Sequence, residues 1–263
     1  MIFNMKRVMI IALTMIIGAN MSVAQETPLW LRKNSISPDG SKIAFEYKGD
    51  IFTVSTKGGK ATQVTSNSSY ESDPLWTKDG KKIIFTSYRE GSKDIYISSA
   101  EGGTPKRLTV FPGNEVPIAV LDNGQFLFNS NIGADASYAG FPGEPQLFLS
   151  DTTGKRPILA SSIYAPAMSV NSKGTVIYED YKGYEDPFRK HHTSSVTRDI
   201  WEYIPAPGKS SSFSINGKGT FKKLSSYIGE DRNPVFAADG DTFYYLSEQD
   251  GKTSNIYRSS LSA

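Results

Sequence analysis

The sequence predicts an all-β fold, a β-propeller of four-stranded antiparallel blades, and three observations carry that expectation. A turn-and-strand motif occurs five times: SPDGSKIAFEY from Ser37, TKDGKKIIFTS from Thr77, LDNGQFLFNS from Leu121, NSKGTVIYED from Asn171 and AADGDTFYYLS from Ala237. Each copy is followed by a second short run, GDIFTVS, KDIYISS, PQLFLSD, RDIWEYI and SNIYRSS. Beyond the first 24 residues no stretch sustains the period of a helix.

The elements follow from residue types. The Gly of each turn supplies a positive φ at little cost, and the β-branched and aromatic runs of four to six residues suit pleated strands. A closing signal, ATQVT, PKRLT, RPILA and FKKLS, follows the first four copies. Each unit therefore reads as four short strands joined by turns, recurring about every 40 to 55 residues, and such units bury their faces only against their neighbours. A β-sandwich also gives short strands, but not the same turn and strand endings five times over. The blades are expected at about residues 30–66, 72–110, 114–161, 165–226 and 232–263, all within one domain from residue 25 to 263.

Two aromatic or aliphatic slots recur in register. Phe45, Phe85, Phe128, Tyr178 and Tyr245 fill one, and Phe52, Tyr96, Phe148, Trp201 and Tyr257 the other. Both are expected to pack between blades. The Asp of each turn and the Asp ahead of the second run also recur in register, so turn and strand-start chemistry accounts for them better than metal binding. No cofactor and no metal site is expected.

The first 24 residues, MIFNMKRVMIIALTMIIGANMSVA, place Lys6 and Arg7 before an apolar run and end on Ser22-Val23-Ala24. That is the pattern of a secretory signal peptide cleaved after Ala24. A retained anchor is the rival, but the apolar run is about half of the roughly 20 residues that a span needs. Removal of the leader takes two of the 29 basic residues and none of the 27 acidic ones, so the two signs then balance. Charge thus gives no case for nucleic acid or for a membrane beyond the export signal. The chain contains no cysteine, which excludes disulfides, Cys-ligated zinc and a thiol nucleophile.

Irregularities in the repeat mark where function is expected to concentrate. The third unit carries the insert NIGADASYAGFPGE, and the fourth carries YKGYEDPFRKHHTSSVT and IPAPGKSSSFSINGKG. The block RKHHTSSVTRDIW holds both histidines beside serines, an arginine and an aspartate. A Ser-His-Asp triad is disfavoured there, because Ser194 and Ser195 are too near His191 and His192 in an extended chain. The block reads instead as packing for the insertion, or as a lining or docking loop in which Arg189, Lys190, His191, His192 and Arg198 face a channel or a neighbouring domain. A third irregularity is that the fifth unit stops after its third strand, so the sequence predicts a ring cut short, the N-terminal piece of a longer protein.

The stretch PLWTKDGKKIIFTSYREGSKDIYISSAEGGTPKRLT is similar to the WD40-like repeats of TolB and related bacterial propellers. The fourth-unit block YKGYEDPFRKHHTSSVTRDIWEY resembles the first propeller of bacterial tricorn protease homologues, and the similarity runs from about Glu26 to Ala263. The resemblance implies a first propeller of six blades followed by further domains with a serine peptidase core of the S41 class. It implies that no catalytic residue lies in this chain, that the propeller guides peptide substrates and holds downstream domains of the same polypeptide, and that a homo-oligomer is compatible. Family members anchor a substrate C-terminus with paired arginines on the segment leading into blade three, whereas VFPGNEVPIAV contains none. The leader implies export, with a periplasmic address in a Gram-negative host. Two alternatives stay open, a free-standing TolB-like interaction module and the propeller lid of an α/β-hydrolase oligopeptidase.

Overall fold

A computed structural model of the chain describes residues 30–132, 144–184, 193–205, 215, 219–251 and 253–262. The predicted leader lies outside the described residues, and Leu31–Ala263 forms one compact unit. Sheet one joins β1 (Arg32–Ile36), β2 (Lys42–Tyr47), β3 (Asp50–Ser55) and β4 (Thr62–Gln63) in that order. Sheet two joins β5 (Glu71–Trp76), β6 (Lys82–Ser87), β7 (Asp94–Ser99) and β8 (Lys106–Arg107). Sheet three joins β9 (Glu115–Val120), β10 (Gln125–Ser130), β11 (Gln146–Asp151) and β12 (Ile158–Ser161). Sheet four joins β13 (Met168–Val170), β14 (Val176–Glu179), β15 (Ile200–Ile204) and β16 (Thr220–Lys223). Sheet five holds β17 (Asp231–Phe236), β18 (Thr242–Ser247) and β19 (Asn255–Ser260). All pairings are antiparallel between strands adjacent in sequence.

These are the five expected blades, the fifth with three strands, and the five turns are the reason for their regularity. Gly40, Gly80, Gly124, Gly174 and Gly240 all hold φ between 67° and 79°, the left-handed region that glycine reaches without strain. The carboxylate of Asp79 accepts hydrogen bonds from the Thr77 hydroxyl at 2.6 Å and from the Lys81 amide at 3.0 Å, and Asp39 does the same with Ser37 and Ser41. Hydrogen bonds from the Ser37 hydroxyl and the Ser41 amide and hydroxyl hold the Asp39 carboxyl down at about 2. Turn chemistry thus occupies these aspartates. At Gly80 a Cβ would find its nearest neighbour, Pro38 Cδ, at 3.8 Å, so space is not limiting. Gly80→Ala is expected to cost about 1 kcal/mol through backbone strain alone, checked by the shift in urea midpoint of the purified protein.

The two recurrent slots face each other across the central hairpin of every sheet. Phe45 pairs with Phe52, Phe85 with Tyr96, Phe128 with Phe148, Tyr178 with Trp201 and Tyr245 with Tyr257. In sheets two to five these pairs point toward the preceding sheet. Phe85 and Tyr96 cluster with Ala44 and Ile51 of sheet one, and Phe126, Phe128 and Phe148 cluster with Ile84, Ile95 and Ile97 of sheet two. Tyr178, Trp201 and Tyr203 meet Leu127, Leu147 and Leu149 of sheet three, and Phe243 and Tyr245 meet Ile177 and Ile200 of sheet four. The core is therefore a series of dry seams between sheets adjacent in the chain. Period-two alternation produces it, since each strand gives one face to the sheet before and one to the sheet after.

The first strands are innermost, because β1 packs on β5, β5 on β9, β9 on β13 and β13 on β17. Three of them carry a bulge at the same place. The pairing register shifts between Arg32 and Ser35, between Ser72 and Leu75, and between Arg232 and Val235, and Lys33, Asp73 and Asn233 stand there with φ of 42°, 55° and 51°. A bulge of this kind bends the strand and re-aims a side chain.

Candidate functional site

The antiparallel order fixes which loops share a rim. Glu71 pairs with Ser87, Glu115 with Ser130 and Asp231 with Ser247, so first strands begin where second strands end. The inserts between β10 and β11 and between β14 and β15 therefore leave from the same rim, and the insert between β15 and β16 leaves from the rim that bears the glycine turns. The first of these inserts, residues 133–143, lies outside the described residues, as do residues 185–192 of the second.

Of the predicted site residues, Arg189, Lys190, His191 and His192 thus fall outside the described residues, and Arg198 falls within them. Arg198 Nη1 donates to Glu179 Oε1 at 2.5 Å, and its guanidinium lies 5.9 Å from the centroid of the Tyr181 ring. Glu179 is 1% exposed and also accepts the Asn233 amide at 2.8 Å. Burial pushes the Glu179 carboxyl up, and the Asn233 amide and Arg198 oppose that shift. Arg198 therefore ties the end of the insertion to β14, and through Glu179 to the bulge of β17. On the other flank, Lys182 Nζ donates to the Thr197 carbonyl at 2.6 Å and to Asp199 Oδ2 at 2.5 Å, where Lys223 also arrives at 2.9 Å. Asp180 accepts the Asp199 amide at 2.8 Å and the Trp201 indole N–H at 3.1 Å. The two ends of the insertion are stitched to their own sheet.

A second polar group, which the sequence reasoning missed, lies in the seam between sheets two and three. Asp94 and Glu115 are both fully buried. Arg107 Nη2 stands 2.8 Å from Asp94, and the Thr109 hydroxyl donates to Glu115 Oε2 at 2.9 Å while accepting the Ile95 amide at 2.8 Å. Burial, reinforced by the nearby charge on Asp94, pushes the Glu115 carboxyl up to about 8. The seam between sheets four and five repeats the arrangement with Asp199, Lys223, Ser225 and Asp231, where burial also pushes the Asp231 carboxyl up. One sequence signal could have found these acids. Glu71, Glu115 and Asp231 each stand five residues before the apolar end of a first strand, at Trp76, Val120 and Phe236.

On the axial side of the same rim a cavity of about 500 Å³ opens between sheets one, two and three. Lys33, Tyr70, Asp73, Asn114, Asn129 and Tyr164 are among the residues that line it. Lys33 and Asp73, both at bulges, pair across it at 3.4 Å, and the Tyr70 hydroxyl donates to Glu46. Among the described residues no three His, Cys, Asp or Glu side chains converge as a metal-binding group. Among the same residues no helix is long and apolar enough to cross a membrane.

Residues 28–263 match the tricorn protease N-terminal beta propeller domain. The chain belongs to that family. A tricorn-family relative, tricorn protease homolog 1 of Streptomyces coelicolor, is 33% identical over 72 residues, which cover 27% of this chain and 7% of the relative. The Tol-Pal system protein TolB of Desulfosudis oleivorans is 33% identical over 119 residues, 43% of this chain and 25% of that protein. In three dimensions the chain superposes on the crystal structure of the tricorn protease with a TM-score of 0.66 at 20% identity, over 88% of this chain and 21% of the protease. It superposes on TolB from Acinetobacter baumannii with a TM-score of 0.60 at 18% identity, over 88% of this chain and 52% of that one. At those identities the superpositions establish the fold. The tricorn-type propeller described here thus spans no more than a quarter of the curated relatives' lengths.

Proposed function

We propose that the chain is the N-terminal propeller of an exported tricorn-type serine peptidase, which gates or guides peptide substrates and holds other domains of the same polypeptide. The match of residues 28–263 to the tricorn N-terminal propeller carries this reading. The insertions between β10 and β11 and between β14 and β15 leave from one rim, and loops on a rigid scaffold are where binding concentrates. Catalytic residues are then supplied by later domains, and residues 1–24 direct export to the periplasm.

The same proposal extends to the ring. Ile84, Leu127 and Ile177 are fully buried by the sheet that follows them, but Tyr244 in the same slot of sheet five is 43% exposed. Ile256 is 75% exposed where Leu147 and Ile200 are fully buried, and on the opposite face of sheet one Ile36 is 61% exposed where Trp76 is buried. One further four-stranded sheet between these faces makes six blades and removes both from water.

Replacing His191 and His192 together with alanine in the full-length protein tests the rim. The expected outcome is slower cleavage of long peptides by several-fold, with short blocked substrates unaffected. Unchanged rates for both would remove the histidines from the passage. A second reading, a free-standing interaction module, is favoured by the TolB likeness, and the mass of the native polypeptide discriminates. A species several times heavier than 28.9 kDa supports the peptidase, and one near that mass supports the module.

A further inference from the structure

The balance of acidic and basic residues in the mature sequence does not hold at the surface. Glu46, Glu71, Asp94, Glu115, Glu179 and Asp231 are among the acids buried in the sheets and seams, whereas among the described residues no Lys or Arg is buried. Burial also pushes the Glu115, Glu179 and Asp231 carboxyls up, which holds down the negative charge of the interior. The described residues therefore turn more cations than acids toward water.

The surplus is gathered on the rim of the glycine turns. In segments 37–42, 56–61, 77–82, 100–106, 121–125, 151–157 and 171–175, which form that rim in sheets one to four, Lys and Arg outnumber Asp and Glu ten to five. Lys42 reaches Glu101 at 2.8 Å and Lys78 reaches Asp122 at 3.0 Å, and the Asp39 and Asp79 carboxylates are held by their own turns. Lys57, Lys60, Lys81, Arg156 and Lys173 are exposed, and among the described residues none of them has a carboxylate within 4.0 Å. On the opposite rim the cations are answered by acids, Arg89 by Glu71, Arg198 by Glu179, Arg232 by Glu230 and Lys182 by Asp199. The turn of sheet five carries Asp239 and Asp241 without a base, and the cationic arc ends there.

None of the exposed large apolar side chains falls in these segments, so the arc offers a partner point charges on short turns, with no apolar wedge. Lysine dominates it. An ammonium is a compact, hydrated charge that suits a diffuse array of anions, whereas a fixed carboxylate is better matched by the planar fork of Arg. We propose that this arc rests on the anionic surface of a lipid bilayer, with the cations of sheets one to four set against phospholipid headgroups. The assignment goes beyond peptide gating, because it fixes which rim faces the bilayer and turns the rim of the β10–β11 and β14–β15 insertions away from it. Each cation brought to such a surface strengthens binding about fivefold.

The test is co-sedimentation of the purified protein with vesicles of phosphatidylglycerol and phosphatidylcholine in equal parts, and with phosphatidylcholine vesicles alone. Residues 1–24 are removed beforehand, since their apolar run would itself enter the vesicles. Binding to the anionic vesicles only is expected, weakening at least about tenfold between 0.1 M and 1 M salt as the Debye length shrinks from about 10 to 3 Å. Lys57→Gln together with Lys60→Gln is expected to weaken it about twenty-five-fold, the product of two such contacts. Lys48→Gln together with Lys93→Gln removes the same charge from the opposite rim, and a change of less than about twofold is expected. Equal losses from the two pairs overturn the choice of rim, and equal binding to both kinds of vesicle overturns the electrostatic contact. Absence of binding to either overturns the proposal, and retention on polyglutamate under the same conditions would then give the arc to an acidic protein.

Discussion

Phe128→Ala is expected to remove about 3–5 kcal/mol of stability, a large part of the 5–15 kcal/mol typical of a native protein. The Phe128 ring is fully buried, 5.6 Å from Phe148 and 5.8 Å from Phe126, and it closes on Ile84, Ile95 and Ile97 of the preceding sheet. Its loss leaves a void in a seam whose two walls are rigid hairpins, so the seam has little freedom to collapse. The control is Tyr244→Ala, an equally aromatic position on the half-exposed face of sheet five, for which a change within about 0.5 kcal/mol is expected. Urea unfolding of the purified variants measures both. Similar costs for the two would mean that seam packing does not dominate stability.

The second large effect is a pH dependence centred on Glu115. Its folded carboxyl is raised from 4.5 to about 8, so the folded state holds a proton there that the unfolded chain gives up. Stability from this group is fully present below about pH 4.5, falls as pH rises, and is lost by about pH 8. The charged groups facing it are Asp94 and Arg107, with Glu90 acting on Arg107 from the adjoining loop. Glu115→Gln keeps the shape and fixes the group as neutral. The variant and the parent are expected to unfold at similar temperatures at pH 5, with the variant several degrees more stable at pH 9. Thermal unfolding across that range checks it, and parallel curves at all pH values would show that Glu115 ionises normally.

Much of this fold was legible in the sequence, for a physical reason. The Asp-Gly and Asn-Gly turns and the aromatic slots are local signals, and a five-fold repetition makes each weak signal confirm the others. Even the two-residue fourth strands Thr62–Gln63 and Lys106–Arg107 were marked by their closing Thr or Leu-Thr. The bulges were not legible, because Lys33, Asp73 and Asn233 share no residue type and their left-handed backbone is set by the neighbouring strand. The buried acids were only half legible. Asp94 and Asp199 were read as strand-start residues, but their partners Glu115 and Asp231 come from the next sheet, and a register across two sheets cannot be read from one run of residues. Arg198 shows the same limit. Its position beside two histidines left packing of the insertion and a lining or docking role both open, and only the fold brings Glu179 beneath it.

The neighbour-only seams have a consequence for how the protein is made. Each sheet consists of consecutive hairpins and rests on the sheet that precedes it in the chain, so nearly every contact joins residues that leave the ribosome close together. The aromatic face of each new sheet arrives to find its apolar partner already formed, as Phe85 and Tyr96 find Ala44 and Ile51. Folding can then proceed in chain order, one sheet at a time, with only the most recent face exposed to wrong partners.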